Sequence, residues 1–527
     1  MATKLKAADL ERAAEHGLGT DELERQLALL AAPPSSIELD RPCTVGDGVQ
    51  QLDDTKESTL LAAQASAVAS GRATYFVPSS GAASRMFKSL LAVRDRGPVD
   101  RATLAAKSDD EEAKAALRFF DGARRFAFAE NLARVLAERG LGLDECLEQG
   151  AVSPVLDALL EANGLAYPRM PKGLLPFHSY DGNENRTAFD EHLVESFAVA
   201  ADEAGATRLH FTVSPDHREA FEHRARQSGD SLGGKLGARF DIGFSTQKPS
   251  TDTVAVNPDG TPFRGEDGEL LFRPGGHGSL IANLADLAEQ GVDLLFVKNI
   301  DNVVHDDWRA PVVHWRRMLA GRLVVLQDRL FGALRALEED ADRAAAVEDA
   351  RAVLATELGQ SVPGADASDL DRAGAALHAA LHRPTRVCAV LRAEGDPGGG
   401  PFWVRESDGS RSPQIVETAQ IDPSAADQRA AQERATHFSP ADMVLGVRDH
   451  RGRPFDLLRH VDPEAVFIAE KSSGGRPLRA LEHPGLWNGG MSKWNTLFVE
   501  VPPEIFQPVK ALTDLLAPAH QPSPDRR

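Results

Sequence analysis

Cysteine is nearly missing from this 527-residue chain, which carries only Cys43, Cys146 and Cys388. They are widely spaced, odd in number and without a CxxC pair, which argues against both a disulfide framework and a zinc ribbon. Long apolar runs are missing too: none approaches the roughly 20 residues that a membrane span requires. The first stretch, MATKLKAADLERAAEHGLG, has no apolar core flanked by cations, so a cytoplasmic protein is expected, neither exported nor anchored. Positive charge is also short. Against 79 Asp and Glu stand 59 Lys and Arg, a net charge of −20. Nucleic-acid binding rests on clustered cations that displace counterions, so that partner is not expected. The excess of acid, and of Arg over Lys, fits a GC-rich genome or a salt-adapted cytoplasm equally well.

What is present is enough apolar material, 42% of residues, for a large core and two to four structural units. Helical spacing at Leu10, Ala13, Ala14, Leu23, Leu27 and Leu30 stops at Pro33 and Pro34, and a second helix is expected over 60–70. The apolar run ATYFVP then reads as a first buried strand, followed by a loop of small residues, Ser79 to Ala83, that opens a helix near Ser84. Residues 100–168 are helical in pattern. Strands are expected again at 209–213, 238–245 and 294–298, with helices between them. This alternation implies an α/β fold with a mainly parallel sheet flanked by helices. An Arg/Glu/Ala-rich helical segment covers 324–381, broken at 359–365, and strands return at 387–391, 401–404, 415–417 and 497–501. The expected division is a helical leader over 1–70, an α/β core over 71–320 with a helical insertion at 100–168, a helical insertion over 321–385, and a C-terminal part over 386–527 that completes the core.

The chemistry concentrates in Leu271 to Val304, LFRPGGHGSLIANLADLAEQGVDLLFVKNIDNVV. A glycine-rich turn opens a helix, and the helix feeds a strand that ends on an Asp between asparagines, an order suited to holding phosphate and a divalent cation. The loop PSSGAASRMFK offers backbone N–H groups and a helix start to a phosphate, with Arg85 and Lys88 adding charge, although small residues at such a place also serve tight packing. Lys172 stands between prolines in RMPKGLLPFH, where a stiff turn could aim it at a phosphate. A solvated loop is expected for His305, Asp306 and Asp307, and a mobile surface loop is an even alternative to a phosphate cover for Lys471 and Arg476 in EKSSGGRPLRALEHPG.

Taken together, G-x-x-S-R-M and P-K-G-L-L-P-F resemble the split signature of the sugar-nucleotidyltransferases, with about 80 residues of helical insertion between the halves. HFTVSPDHREAFE resembles the second parallel strand of that fold, and FSTQKPSTDTVAV presents Gln247 where UDP-sugar pyrophosphorylases of the eukaryotic type have a glutamine near the base. PGGHGSL is similar to their P-x-G-x-G-D turn without its acidic residue, VKNIDNVV to their N-x-D-N strand end, and IFQPVKALTDLL to their F-L-P-V-K segment ahead of a helix. LWNGGMSKWNTLFVEVP is similar to the segment that lines their sugar pocket. The whole chain also resembles an uncharacterised bacterial family, domain of unknown function 4301, which carries FRPGGHG, KNIDN and LWNG-M--WNT and brings no known activity.

The resemblance implies a nucleotide-diphospho-sugar transferase core (GT-A, Rossmann-like) and a magnesium-dependent enzyme that joins a sugar 1-phosphate to a nucleoside triphosphate, UTP foremost, with release of pyrophosphate. By that likeness Arg85, Lys172 and Lys510 are catalytic, with Lys88 the rival for the triphosphate lysine. Gly81, Ala82, Gln247, Gly275, Gly276 and His277 bind nucleotide. Glu417, Asn488 and Gly489 bind sugar, and Asp301 with Asn495 holds Mg2+. The alternative is a nucleotide-sugar binder on the same fold without transferase activity, which the missing acid of PGGHG favours.

Overall fold

The computed structural model describes residues 5–34, 36–182, 184–339, 342–393 and 399–524. The chain is a mixed α/β protein, and Cα packing divides it into two discontinuous units. The larger comprises Met1–Thr74, Gln247–Val297 and Arg317–Pro502; the smaller comprises Tyr75–Thr246, Lys298–Arg316 and Pro503–Arg527.

In the smaller unit the strand Ala73–Pro78, from Tyr75 onward, pairs in parallel with Ala206–Thr212, which pairs in parallel with Arg239–Ser245. Parallel neighbours need long crossovers, and the helices Ala188–Ala200 and Arg218–Leu236 provide them. Phe189, Phe211, Phe221 and Phe244 meet between sheet and helices, with ring centroids 4.5 to 6.4 Å apart. Such large rings bury much apolar area per side chain. The expected insertion is a run of short helices from Arg101–Ala105 to Val152–Leu160.

The larger unit holds a sheet in the order Thr44–Val45, Gly48–Gln50, Asn495–Glu500, Thr385–Arg392, Met443–Gly446, Leu294–Val297. All neighbours pair in parallel except Met443–Gly446, which runs against both of its own. The helix Arg309–Glu339 enters this unit at Arg317 and crosses Asp54–Ala69 closely. A Cβ added to Gly321 would lie 2.0 Å from the Leu60 carbonyl oxygen, so only glycine permits that approach.

A second, antiparallel sheet in this unit orders Phe272–Pro274, Asp252–Val256, Arg476–Glu482 and Phe467–Ser473. The helices Ala7–Glu15 and Thr20–Ala31 cover it, burying Ala13, Leu23 and Leu30 against Val254, Val256 and Leu481. Lys471 and Arg476 therefore lie on two paired strands rather than in a loop. Gly474 and Gly475 both take positive φ, +55° and +75°, as a two-residue hairpin turn of the primed kind requires. A third small sheet joins Leu39–Pro42, Gly400–Arg405 and Arg411–Val416. Cys43, Cys146 and Cys388 are all buried as free thiols, and among the described residues no helix is long and apolar enough to cross a membrane.

Candidate functional site

Four segments that are distant in sequence are stitched together in the smaller unit. The strand Ala73–Pro78 releases the chain into the glycine loop, where Gly81, Ala82, Ser84 and Arg85 are exposed and Ala83–Arg85 forms a single 3-10 turn. The P-K-G segment folds onto that loop: Lys172 N donates to Gly81 O at 3.2 Å and Ala83 N to Met170 O at 3.0 Å. The N-I-D-N turn lies beside it, since Lys172 Nζ is 2.6 Å from Asp301 Oδ2. The last segment closes over both, with Val509 N donating to Asp301 O at 3.1 Å, Gln507 N to Asn302 Oδ1 at 3.0 Å and Leu512 N to Met86 O at 3.1 Å.

Thus Gly81, Ala82, Arg85, Lys172, Asp301 and Lys510 sit on segments that touch one another. Lys510 is exposed, with its ammonium 5.9 Å from the Phe506 ring centroid, and its backbone N donates to Asp514 Oδ2. The chain after it forms the 3-10 turn Leu512–Leu516 in place of the expected helix. Lys88 opens the helix Lys88–Asp95 and is exposed, whereas Lys172 is tied to both the glycine loop and Asp301. The tightness of this arrangement depends on Gly173, where a Cβ would lie 3.0 Å from both Ile300 and Phe221.

Behind Asp301 stands a buried network that sequence reading missed. Lys298 is 1% exposed and donates to Glu195 Oε2 at 2.7 Å. Burial alone would raise Glu195, but Lys298 and Arg316 bring it down to about 2. His192 is held at about 4 by burial and is therefore neutral; its Nε2–H can donate to Ile300 O, 3.2 Å away, the carbonyl just before Asp301. The turn is thus fixed from beneath by a buried ion pair and a buried imidazole. His305 is buried as well, and Asp306 is paired with Arg186 and Arg309, so the expected solvated loop is part of an ionic cluster. In that cluster Glu191 receives His178 and Tyr180 at 2.9 and 2.7 Å, and His178 in turn meets His520 at 3.0 Å. Arg309 is a neighbour in sequence, but Arg186 comes from 120 positions away, which no local pattern reveals.

The remaining candidates lie in the larger unit. Gly276 has φ +81° and ψ −173°, a region open in practice only to glycine. The PGGHG turn packs on the segment His483–Gly490: His483 N donates to Gly275 O, and Leu486 N to His277 Nδ1 at 3.0 Å. Because that nitrogen accepts from a backbone N–H, His277 is neutral, in agreement with the lowering that burial imposes on it. Its ring stacks on Trp487 at 4.5 Å, so it offers a flat polar surface and no positive charge.

Asn488 Nδ2 donates to Gln420 Oε1 at 2.9 Å, and that same oxygen takes Glu417 N, which brings Glu417, Asn488 and the adjacent Gly489 together. Burial, followed by the like charge of Glu482, raises Glu417. Asn488 Oδ1 and Gln247 Nε2 are buried with no hydrogen-bond partner among the described residues. Asn495 begins a strand and spends its Nδ2 on Leu381 O at 3.0 Å. Sequence reading also missed Arg386, whose fully buried guanidinium bonds, among the described residues, the neutral oxygens of Thr496, Trp487 and Gln414. Burial without a carboxylate partner lowers it.

The smaller unit of this mixed α/β protein thus gathers a glycine loop, a lysine and an aspartate that follows a strand. The chain belongs to the family described as "Domain of unknown function (DUF4301)", whose model matches residues 6–521. No curated protein matches the sequence. Among solved structures it is similar to UDP-glucose pyrophosphorylase from Leishmania major, at 14% identity over 98% of this chain and 79% of that one, with a TM-score of 0.44. It is also similar to the uridine diphosphate N-acetylglucosamine pyrophosphorylase from Trypanosoma brucei, at 11% identity over 93% and 71%, with a TM-score of 0.43.

Proposed function

We propose that this chain is a cytoplasmic, magnesium-dependent sugar-phosphate nucleotidyltransferase on a GT-A, Rossmann-like core. In the reaction a phosphate oxygen of a sugar 1-phosphate attacks the α-phosphorus of a nucleoside triphosphate, with UTP the expected one. A new P–O bond forms, the bond to the β-phosphate breaks, and pyrophosphate leaves with its electron pair. The observation that carries the reading is the 2.6 Å pair between Lys172 and Asp301, set against the exposed glycine loop.

Such a transfer needs little covalent help and much charge neutralisation, because two anionic phosphates must be brought in line. The backbone of the exposed residues Gly81 and Ala82, with Arg85, suits the β- and γ-phosphates. Lys172 and Lys510 suit the α- and attacking phosphates as point charges. Asp301 fits a magnesium ion: its carboxylate already faces a cation, and Mg2+ is commonly held by one or two carboxylates plus substrate phosphates and water. When bound, the ion would supply neutralisation of the triphosphate charge. Lys172 balances Asp301 without ligand and would be released toward phosphate as the site fills.

For the larger unit we propose ligand contacts of its own. Asn488, Gly489 and Glu417 would meet sugar hydroxyls, Gln247 the base, and Gly275, Gly276 and His277 a closely approaching nucleotide. Asn495 is proposed as a metal contact from the motif likeness alone, since its amide already serves Leu381. The test is a screen of nucleoside triphosphates against sugar 1-phosphates with Mg2+, read as pyrophosphate, with Lys172→Met and Lys510→Ala as low-turnover controls. The PGGHG turn lacks an acidic residue, which favours a second reading, a nucleotide-sugar binder without turnover. Thermal stabilisation by a UDP-sugar with no pyrophosphate release would select it.

A further inference from the structure

A cluster of imidazoles and carboxylates lies in the larger unit, on elements that supply none of the phosphate-handling residues. The helix Leu370–Leu381 carries His378, and His382 follows it as its C-cap; the four-residue spacing puts both rings on one face, with centroids 5.3 Å apart. The turn after Met443–Gly446 presents Asp449 and His450, and the end of Arg309–Glu339 presents Glu338. His450 Nε2 lies 3.0 Å from Glu338 Oε2, His378 Nε2 lies 3.2 Å from Glu338 Oε1, and His382 Nε2 lies 3.6 Å from Asp449 Oδ2. One donor atom each of His382, Asp449 and His450 already lies within 4.8 Å of the other two. The His450 side chain is 2% exposed, and its Nδ1 has no hydrogen-bond partner among the described residues.

We propose that His382, Asp449 and His450, with Glu338 or His378 as a fourth ligand, form a transition-metal site of the zinc class. The donor chemistry selects the ion. Imidazoles mixed with carboxylate suit Zn2+, Co2+ or Ni2+, whereas Mg2+ and Ca2+ prefer oxygen throughout. Around a tetrahedral ion with bonds of about 2.0–2.1 Å the donors stand roughly 3.3 Å apart, so the cluster must contract by about 1.5 Å at most. His378 and His382 are partly exposed and stand at the end of a helix, where a change of rotamer suffices. Arg451 and Arg453 now hold Glu338 and Asp449, each at 2.7 Å, and both are more than half exposed, so a cation can displace them toward solvent. The bound ion would clamp the ends of two helices to the 449–450 turn.

The test uses the full chain without an affinity tag, stripped with a chelator and titrated with Co2+, whose visible bands report tetrahedral coordination. The expected result is one saturable site, displaced by Zn2+ and indifferent to Mg2+. It survives Asp301→Asn and weakens by at least about 10–100-fold in His382→Gln. His382 is partly exposed, so this variant keeps the core, and an unchanged circular dichroism spectrum checks that it folds. Zn2+ should also raise the melting temperature of the unaltered chain and not that of His382→Gln. Weak, unsaturable Co2+ binding, or equal affinity in the chain and in His382→Gln, would overturn the proposal.

Discussion

Lys172 and Asp301, 129 positions apart in the chain, are joined by an ion pair of 2.6 Å in which both side chains are mostly shielded from water. The pair sets the sign of a first prediction. Lys172→Met leaves Asp301 without its cation, and in a phosphate site it also removes a phosphate contact. Triphosphate binding should weaken by about tenfold or more, as expected for a charge-assisted contact worth roughly 1.5–3 kcal/mol. Equilibrium titration with UTP measures this; unchanged affinity would remove Lys172 from the site.

Lys298→Met breaks the buried pair with Glu195. Removing one partner of such a pair leaves a buried charge and costs about 3–5 kcal/mol. Urea unfolding should register that loss, and the joint substitution Lys298→Met with Glu195→Leu should recover part of it. A single variant as stable as the parent would show that the network does not hold the turn.

Two glycines should be intolerant. A Cβ at Gly278 would lie 2.1 Å from the carbonyl oxygen of Pro484, a backbone atom that cannot swing aside. Gly278→Ala should therefore cost at least about 1–3 kcal/mol, as overpacking does, and loosen the Leu486–His277 bond. Gly173→Val should act similarly by pushing Lys172 away from Ile300. Urea midpoints, with amide exchange at Leu486, distinguish these outcomes from tolerated substitutions.

Acid should weaken the protein in two stages. Burial, with His178 beside it, holds His520 down at about 3, against 6.5 for an ordinary histidine. The unfolded chain therefore takes up this proton first, so the stability is intact above pH 6.5 and falls as pH drops toward 3. At pH 5 the loss from His520 alone is about 2 kcal/mol, and His192, held at about 4, adds to it. Glu191 and Glu195, both near 2, have the carboxylate sign: their contribution is present above about 4.5 and is lost as pH falls through 2. Urea midpoints at several pH values test this. His520→Gln should flatten the slope between pH 6.5 and 4; an unaltered slope would assign it elsewhere.

Where local pattern and environment agree, the chain was readable. ATYFVP is an apolar run between Gly71 and a helix-opening loop, and it forms the strand Ala73–Pro78 as expected. The other expected strands also appear within a few residues of their predicted bounds, and short helices run from Arg101–Ala105 to Val152–Leu160. The hairpin through Gly474 and Gly475 was not readable, because its inner face is covered by the helix Thr20–Ala31, which only the fold brings there. His305 and Asp306 looked solvated for the same reason, since Arg186 arrives from far away in the chain. Motif likeness did select Arg85, Lys172, Asp301 and Lys510 as a group, and the structure brings the segments that carry them into contact. It gave no sign of Lys298, His192 or Arg386, whose meaning lies in burial.

The most direct measurement is calorimetric titration of UTP, with and without Mg2+, into the unaltered chain and Asp301→Asn. If Asp301 is the carboxylate that holds the cation, Mg2+ should strengthen binding to the unaltered chain and have no effect on the variant. Metal-free UTP should bind the variant more tightly than the parent, because Lys172 is then free. Equal Mg2+ dependence in the two proteins would contradict the account.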